Sequence, residues 1–173
     1  IILFPMVALT IALMFAYPSH HVLGEQTGWQ LDLHILLSIL AYSLLVIAVL
    51  QALVLAFQDH QLRHRHPGGL VRLLPPLQVM ESLLIQLIVS GFVLLSAALL
   101  TGFFFLEDIF AQHLVHKTLL SMAAWVVFGV LLWGRWRFGW RGRTVIRWTL
   151  GGFLFLMLAY FGTKLVLELL LGR

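Results

Sequence analysis

Cysteine is absent from this 173-residue chain, and charged residues make up only 10% of it. The lack of cysteine excludes disulfides and thiolate metal sites. A soluble domain usually carries about a quarter charged residues, whereas 61% of this chain is hydrophobic. The chain also contains no phosphate-binding loop, dinucleotide fingerprint or Gly-x-Ser-x-Gly elbow. The composition therefore predicts an integral membrane protein that lies mostly in lipid.

The apolar residues form runs that are long enough, or nearly so, to cross a bilayer as helices. We predict five membrane helices, at residues 1–17, 31–57, 77–106, 114–133 and 145–171. The predicted fold class is all-α, a polytopic membrane helical bundle that forms a single integral-membrane domain over residues 1–173. Because Ile1 lies inside an apolar run, we expect part of the protein to precede it.

Basic residues concentrate in two of the predicted loops. Loop 58–76 holds three arginines and loop 135–147 holds five, while the other two connections hold one lysine and four carboxylates. Arginine and lysine in short loops mark the cytoplasmic side. We therefore predict that both arginine-rich loops are cytoplasmic and that His34 and His113 lie on the opposite side. The tryptophans around the second loop are typical of an interfacial belt, which favours membrane lipid over nucleic acid as the partner.

A polar stripe opens the second run. His34, Ser38 and Tyr42 are four residues apart, so they share one helix face. An ionisable residue within a membrane helix indicates a functional site. The same stripe is typical of polar contacts that join two helices. The residues alone leave both interpretations open.

The chain has eight histidines. Those that map to the predicted outer rim are His20, His21, His34, His113 and His116. Imidazole binds haem iron, copper and zinc. No Glu-x-x-His motif supports a hydrolytic metal centre, so haem at the outer rim is the most coherent ligand and no metal site is predicted.

Charged groups are rare at mid-membrane depth, where the polar side chains are Gln51, Gln86 and hydroxyls. This pattern disfavours an ion-coupled transporter. Glu81 lies near the cytoplasmic end of the third run, and we expect it to pair with an arginine of the basic loops.

Three blocks of the sequence, residues 33–42, 80–102 and 116–162, carry a family resemblance. The first contains His34 and the third contains Gly-Trp-Arg-Gly-Arg. Together they resemble the C-terminal part of the cytochrome c assembly membrane proteins. That family includes the haem-handling CcsA and CcmC proteins and the HemX-like proteins, and the YpjD-type branch of bacterial inner-membrane proteins is the most similar. The likeness covers nearly the whole chain.

The resemblance implies a haem site that this chain matches only in part. In CcsA-like members, a Trp-rich loop between two flanking histidines holds haem at the outer surface. His34 matches the first histidine, whereas the loop position, residues 103–117, contains no tryptophan. Leucines occupy 169–171, where the second histidine is expected, and Trp133 stands in place of a membrane histidine. The resemblance therefore implies the fold and topology, with additional helices before Ile1, but neither haem export nor synthetase activity.

The predicted function is that of a non-catalytic accessory protein of the bacterial inner membrane. It binds haem at the periplasmic face through His34, with His113 or His116 as the second ligand. One alternative is a structural or regulatory subunit of a larger membrane complex without haem, and another is a protein associated with divalent-cation transport. Expected partners are lipid and other membrane proteins. A haem ligand at His34 should face a cavity lined by residues 103–105 and Trp29, rather than be sealed against a neighbouring helix.

Overall fold

The computed structural model describes residues 29–63, 74–105 and 112–170, with the backbone alone described at 30, 105, 112–117 and 160–170. The helices in these ranges are α1, Trp29–Arg63; α2, Leu77–Phe105; α3, Gln112–Phe138; and α4, Arg143–Leu170. No strand occurs within them. The predicted all-α class is confirmed.

Membrane-spanning character is clear in three of these helices. The segments that are long and apolar enough to cross a bilayer are Leu31–Arg63, Leu77–Phe104 and Thr118–Phe138. Helices suit this environment because they satisfy their own backbone hydrogen bonds where no water is present. The predicted number of five spans is not supported: residues 1–17 lie outside the described residues, and α4, which covers most of the predicted span 145–171, is not among the three candidate spans found within them. That residues 1–173 form one domain stays a prediction.

The two arginine-rich loops are shorter than the sequence predicts. α1 continues to Arg63 and α3 to Phe138, so the predicted loop limits of 58–76 and 135–147 are wrong. α1 has 35 residues, which makes it about 50 Å long at 1.5 Å per residue, whereas the hydrocarbon layer is about 30 Å thick. Its polar end therefore stays helical outside the apolar layer, and Asp59 supports it through an ion pair with Arg63 at 3.0 Å, one turn away.

Two glycines shape the turn between α3 and α4. Gly139 and Gly142 have φ values of 66° and 54°, in the left-handed region where a side chain costs about 1–2 kcal/mol. The Gly139 N–H donates to the Arg135 carbonyl at 3.1 Å. The reversal is therefore tight enough to bring the end of α3 against the start of α4.

Each helix buries a narrow seam and leaves large apolar side chains exposed on its other faces. The seam of α1 is Ala41, Leu45, Ala48, Ala52 and Leu55, and that of α4 includes Val145, Thr149, Leu156 and Ala159. The alternating spacing of four and three residues is the repeat of bundles whose helices cross at about 20°. The exposed apolar faces suit contact with lipid.

α1 packs most extensively on α2, and α3 on α4. Near the end of α1, the Gln58 side-chain amide donates to the Pro75 carbonyl just before α2, at 3.0 Å. Near the start of α1, His34 contacts Ala98, close to the end of α2. α1 and α2 are therefore antiparallel.

The bundle has two chemically different ends. We call the end that holds His34, Thr101 and Thr118 the histidine end. The opposite end, which holds Arg63, Arg135, Arg143 and Arg147, is the arginine end. Arg135 of α3 reaches Glu81 of α2 there, so the end of α3 and the start of α2 lie side by side.

Candidate functional site

His34 lies in the second turn of α1, where its imidazole is half-buried against α2. Its Nδ1 is 2.9 Å from the Ala98 carbonyl oxygen and 3.1 Å from the Thr101 hydroxyl oxygen. Thr101 itself donates to the same Ala98 carbonyl at 2.9 Å. Two groups of α2, the Ala98 carbonyl and the Thr101 hydroxyl, therefore fix the position of one ring nitrogen of α1.

These contacts determine which nitrogen of His34 carries the hydrogen. A backbone carbonyl only accepts hydrogen bonds, so Nδ1 must donate to Ala98. In the neutral ring, Nε2 then holds a lone pair, and among the described residues it has no hydrogen-bond partner. Histidines that bind metals typically donate their other ring N–H to a carbonyl or carboxylate in this manner.

A cavity of about 910 Å³ borders His34 at the histidine end. All four helices contribute to its wall, including Ile39 of α1, Leu99 of α2, Met122 of α3 and Leu156 of α4. The wall is mostly apolar, and among the described residues it includes no Asp, Glu, Lys or Arg. Such a space suits a large apolar ligand with few polar attachment points.

The polar groups on the wall are mainly hydroxyls that already have partners. Ser43 donates to the Ile39 carbonyl at 2.7 Å, one turn back in its own helix. Ser96 donates in the same way to Phe92, and it accepts the Trp125 indole N–H at 2.8 Å. Ser38 and Ser121 also line the wall, but an imidazole nitrogen is a better ligand for haem iron than a serine hydroxyl. Nε2 of His34 is therefore the wall's clearest atom for binding such a ligand.

The structure agrees only in part with the predicted surroundings of His34. Phe103 lines the cavity, as expected, whereas Phe104 and Trp29 are exposed and are not part of the wall. The side chain of residue 105 lies outside the described residues. The backbone places His113 and His116 in the first two turns of α3, but their side chains lie outside the described residues. Thr118, two positions after His116, lines the same cavity as His34.

Sequence reasoning found His34 but missed what holds it. The Ala98 carbonyl could not be recognised from the sequence, because every residue has a backbone carbonyl. The Trp125 contact with Ser96 was also missed, since a tryptophan in an apolar run is usually a lipid-facing or core residue. Thr101 was the one visible sign, as a polar residue near the end of α2.

Comparison with known proteins decides the family. The sequence model described as "Cytochrome C assembly protein" matches residues 1–171. The chain belongs to the cytochrome c assembly protein family. The resemblance stated from the sequence is thereby confirmed.

Two similar proteins carry no activity in their names. The chain is 35% identical over 169 residues to the inner membrane protein YpjD of Escherichia coli, covering 98% of this chain and 64% of that protein. It is 38% identical over 157 residues to an uncharacterized 28.8 kDa protein of Azospirillum brasilense, covering 90% of this chain and 58% of that protein. The chain thus spans less than two thirds of the length of either relative. No solved structure matches it.

Proposed function

We propose that this chain is an accessory, non-catalytic membrane protein that binds haem at the histidine end, where Nε2 of His34 would hold the iron. The observation that carries the proposal is the pair of contacts at Nδ1, 2.9 Å to the Ala98 carbonyl and 3.1 Å to the Thr101 hydroxyl. They orient the ring and leave its other nitrogen with a lone pair. Haem iron takes axial imidazole ligands of this kind.

The cavity supports the proposal by its size and chemistry. Its volume of about 910 Å³ lies within the range of about 300–1,000 Å³ that is usual for cofactor and small-molecule sites. Apolar residues such as Leu99, Leu156 and Phe103 suit the hydrophobic faces of a porphyrin. When bound there, haem would supply an iron centre that takes up the His34 lone pair.

His113 and His116 are the proposed sources of a second ligand. The support is their backbone position at the start of α3, next to Thr118 on the cavity wall. We assign no catalysis to this chain, because Nδ1 of His34 is already committed to Ala98 and the described wall has no carboxylate to assist proton transfer.

We also propose that the histidine end faces the periplasm and that the protein lies in the inner membrane. The arginine-rich sequence lies at the other end, which the positive-inside tendency assigns to the cytoplasm. The inner-membrane location in the name of the Escherichia coli relative supports the same membrane.

A subunit without haem is the second candidate function. The same hydrogen bonds from His34 fasten α1 to α2, so the histidine would then act only in helix packing, and the chain would serve a larger membrane complex. A third candidate, association with divalent-cation transport, has less support. The described residues hold no group of three or more His, Cys, Asp or Glu side chains able to bind a metal ion.

Haem titration of the purified chain distinguishes these functions. We expect a Soret band in the unmodified chain and a loss of affinity of at least about tenfold in His34→Ala and His34→Gln, because each removes the axial nitrogen. Gln keeps a donor for the Ala98 carbonyl, so it separates loss of the ligand from loss of packing. His60→Ala, at the arginine end, is the matched control and should bind as the unmodified chain does.

Two results would contradict the haem proposal. One is equal titration of the unmodified chain and the folded His34 variants. The other is a folded, unpigmented chain that co-purifies with another membrane protein, which would favour the subunit function.

A further inference from the structure

A second cleft lies at the arginine end, between the last turns of α1 and the first turns of α4. Its volume is about 240 Å³. Asp59, His60 and Arg63 line it from α1, and Arg143 and Arg147 line it from α4. This cleft is separate from the cavity beside His34, so an inference about it does not depend on haem.

Positive charge predominates in this cleft. The Arg63 Nε–H is 3.1 and 3.0 Å from the two carboxylate oxygens of Asp59, so the one acidic side chain among the described residues of the wall is already paired. Arg143 and Arg147 are exposed, and within the described ranges neither forms an ion pair. Two guanidinium groups are therefore available to a ligand of negative charge.

The other carboxylate at this end does not offset that charge. Glu81 is buried, with one carboxylate oxygen 2.5 Å from Arg135 and the other 3.3 Å from the Gly142 backbone nitrogen. Both of its oxygens are therefore engaged outside the cleft. From Arg135 to Arg147 the sequence itself contains no Asp or Glu.

Helix geometry directs the two arginines to one place. Arg143 and Arg147 are four residues apart in α4, so their side chains lie on one face. Arg143 is the first residue of α4, where the helix dipole favours an anion. On the α1 side, Ala56 lies one turn deeper into the bundle and, with the buried Ile146, gives the cleft an apolar floor.

We propose that this cleft binds a phosphate group, and that the group is carried by an anionic phospholipid headgroup. Guanidinium groups match the geometry of phosphate oxygens through paired hydrogen bonds. A basic pocket between the ends of membrane helices is the usual kind of site for such headgroups. The apolar floor beneath the arginines suits the part of a phospholipid that follows its phosphate. A free phosphate ion has the same charge chemistry, and the experiment separates the two sources.

Lipid binding to the full chain in neutral detergent tests the proposal. Native mass spectrometry would compare retention of phosphatidylglycerol with that of phosphatidylcholine. We expect the unmodified chain to prefer phosphatidylglycerol, and Arg143→Gln with Arg147→Gln to weaken its binding about 25-fold, or about fivefold for each arginine. The matched control is Arg137→Gln with Arg141→Gln, which removes two exposed arginines at the same end but outside the cleft and should change binding less than about twofold.

A competition experiment with inorganic phosphate shows whether the bound phosphate group belongs to a lipid or to a free ion. Retention of phosphatidylglycerol in millimolar inorganic phosphate supports a lipid site, whereas displacement at that concentration supports a site for free phosphate. The single variant Arg147→Gln keeps the test valid if the double variant does not fold. The proposal is overturned if the double variant in the cleft and the control double variant lose the same affinity for phosphatidylglycerol. It is also overturned if the unmodified chain prefers neither phosphatidylglycerol nor phosphate over phosphatidylcholine.

Discussion

Glu81 and Asp59 are two carboxylates at the arginine end that pair with arginines in different surroundings. The side chain of Glu81 is 10% exposed and that of its partner Arg135 is 25% exposed, whereas Arg63, the partner of Asp59, is 61% exposed. Arg135 also donates to the Trp140 carbonyl at 2.6 Å. Glu81 thus joins the start of α2 to the turn between α3 and α4, while Asp59 only supports its own helix.

This difference predicts unequal effects of two matched substitutions. Glu81→Gln leaves a half-buried guanidinium without its counter-charge, so we expect the free energy of unfolding to fall by about 2–4 kcal/mol. Asp59→Asn breaks a pair that water already screens and should cost less than about 1 kcal/mol. Chemical unfolding in mixed micelles, followed by loss of helical circular dichroism, measures both. Similar losses for the two variants would contradict the structural role of Glu81.

At the scale of the helix, close packing depends on residues without a side chain. A Cβ at Gly152 of α4 would lie 2.9 Å from the ring of Phe128, a fully buried residue of α3. A Cβ at the preceding residue, Gly151, would meet nothing within 4 Å among the described residues. Adjacent glycines therefore have different roles, and only one permits the contact between α3 and α4.

We predict that Gly152→Ala destabilises the bundle by about 1–3 kcal/mol, because the buried Phe128 ring must move. Gly151→Ala should be neutral or stabilise by up to about 1 kcal/mol, since alanine loses less conformational freedom in a helix. Thermal unfolding of the two variants in the same detergent measures the difference. A larger loss for Gly151→Ala than for Gly152→Ala would show that the described α3–α4 packing is wrong.

At the scale of the whole molecule, the antiparallel helices separate two kinds of chemistry. Among the described residues, the histidine end has an apolar cavity and one oriented imidazole, and the arginine end has paired carboxylates and guanidinium groups without an ion pair. The spans α1, α2 and α3 hold these ends on opposite faces of the membrane. The proposed haem and phosphate sites therefore lie on opposite sides of the bilayer.

Labelling of single introduced cysteines tests which end of the bundle lies on which side of the membrane. The chain contains no cysteine that would have to be removed first. Leu62→Cys and Phe138→Cys, both exposed at the arginine end, should react with an impermeant maleimide only from the cytoplasmic side. Trp29→Cys, exposed at the start of α1, should react only from the periplasmic side. The measurement compares spheroplasts with inverted vesicles.

The two possible failures have different meanings. Reaction of Leu62→Cys and Phe138→Cys from opposite sides would contradict the antiparallel bundle. Reaction of both from the periplasmic side would contradict only the assignment of the arginine end to the cytoplasm.

The sequence by itself determined the helical class and the approximate positions of the described helices, and it singled out His34 as a polar residue in an apolar run. These follow from hydropathy and spacing, which depend on residues close together in the chain. It placed the ends of α1 and α3 too early, because Asp59 and Arg137 look like loop residues by composition. A helix that extends beyond the hydrocarbon layer has no need to remain apolar.

Only the tertiary structure decided which nitrogen of His34 is held, which arginine pairs with Glu81 and which arginines share a cleft with α1. Each of these depends on how two helices are rotated and shifted against one another. That arrangement is set by the fit of buried seams along their length, so the Ala98 carbonyl reaches His34 only after α1 and α2 have packed. Local pattern therefore predicts the helices, and the contacts between helices create the sites.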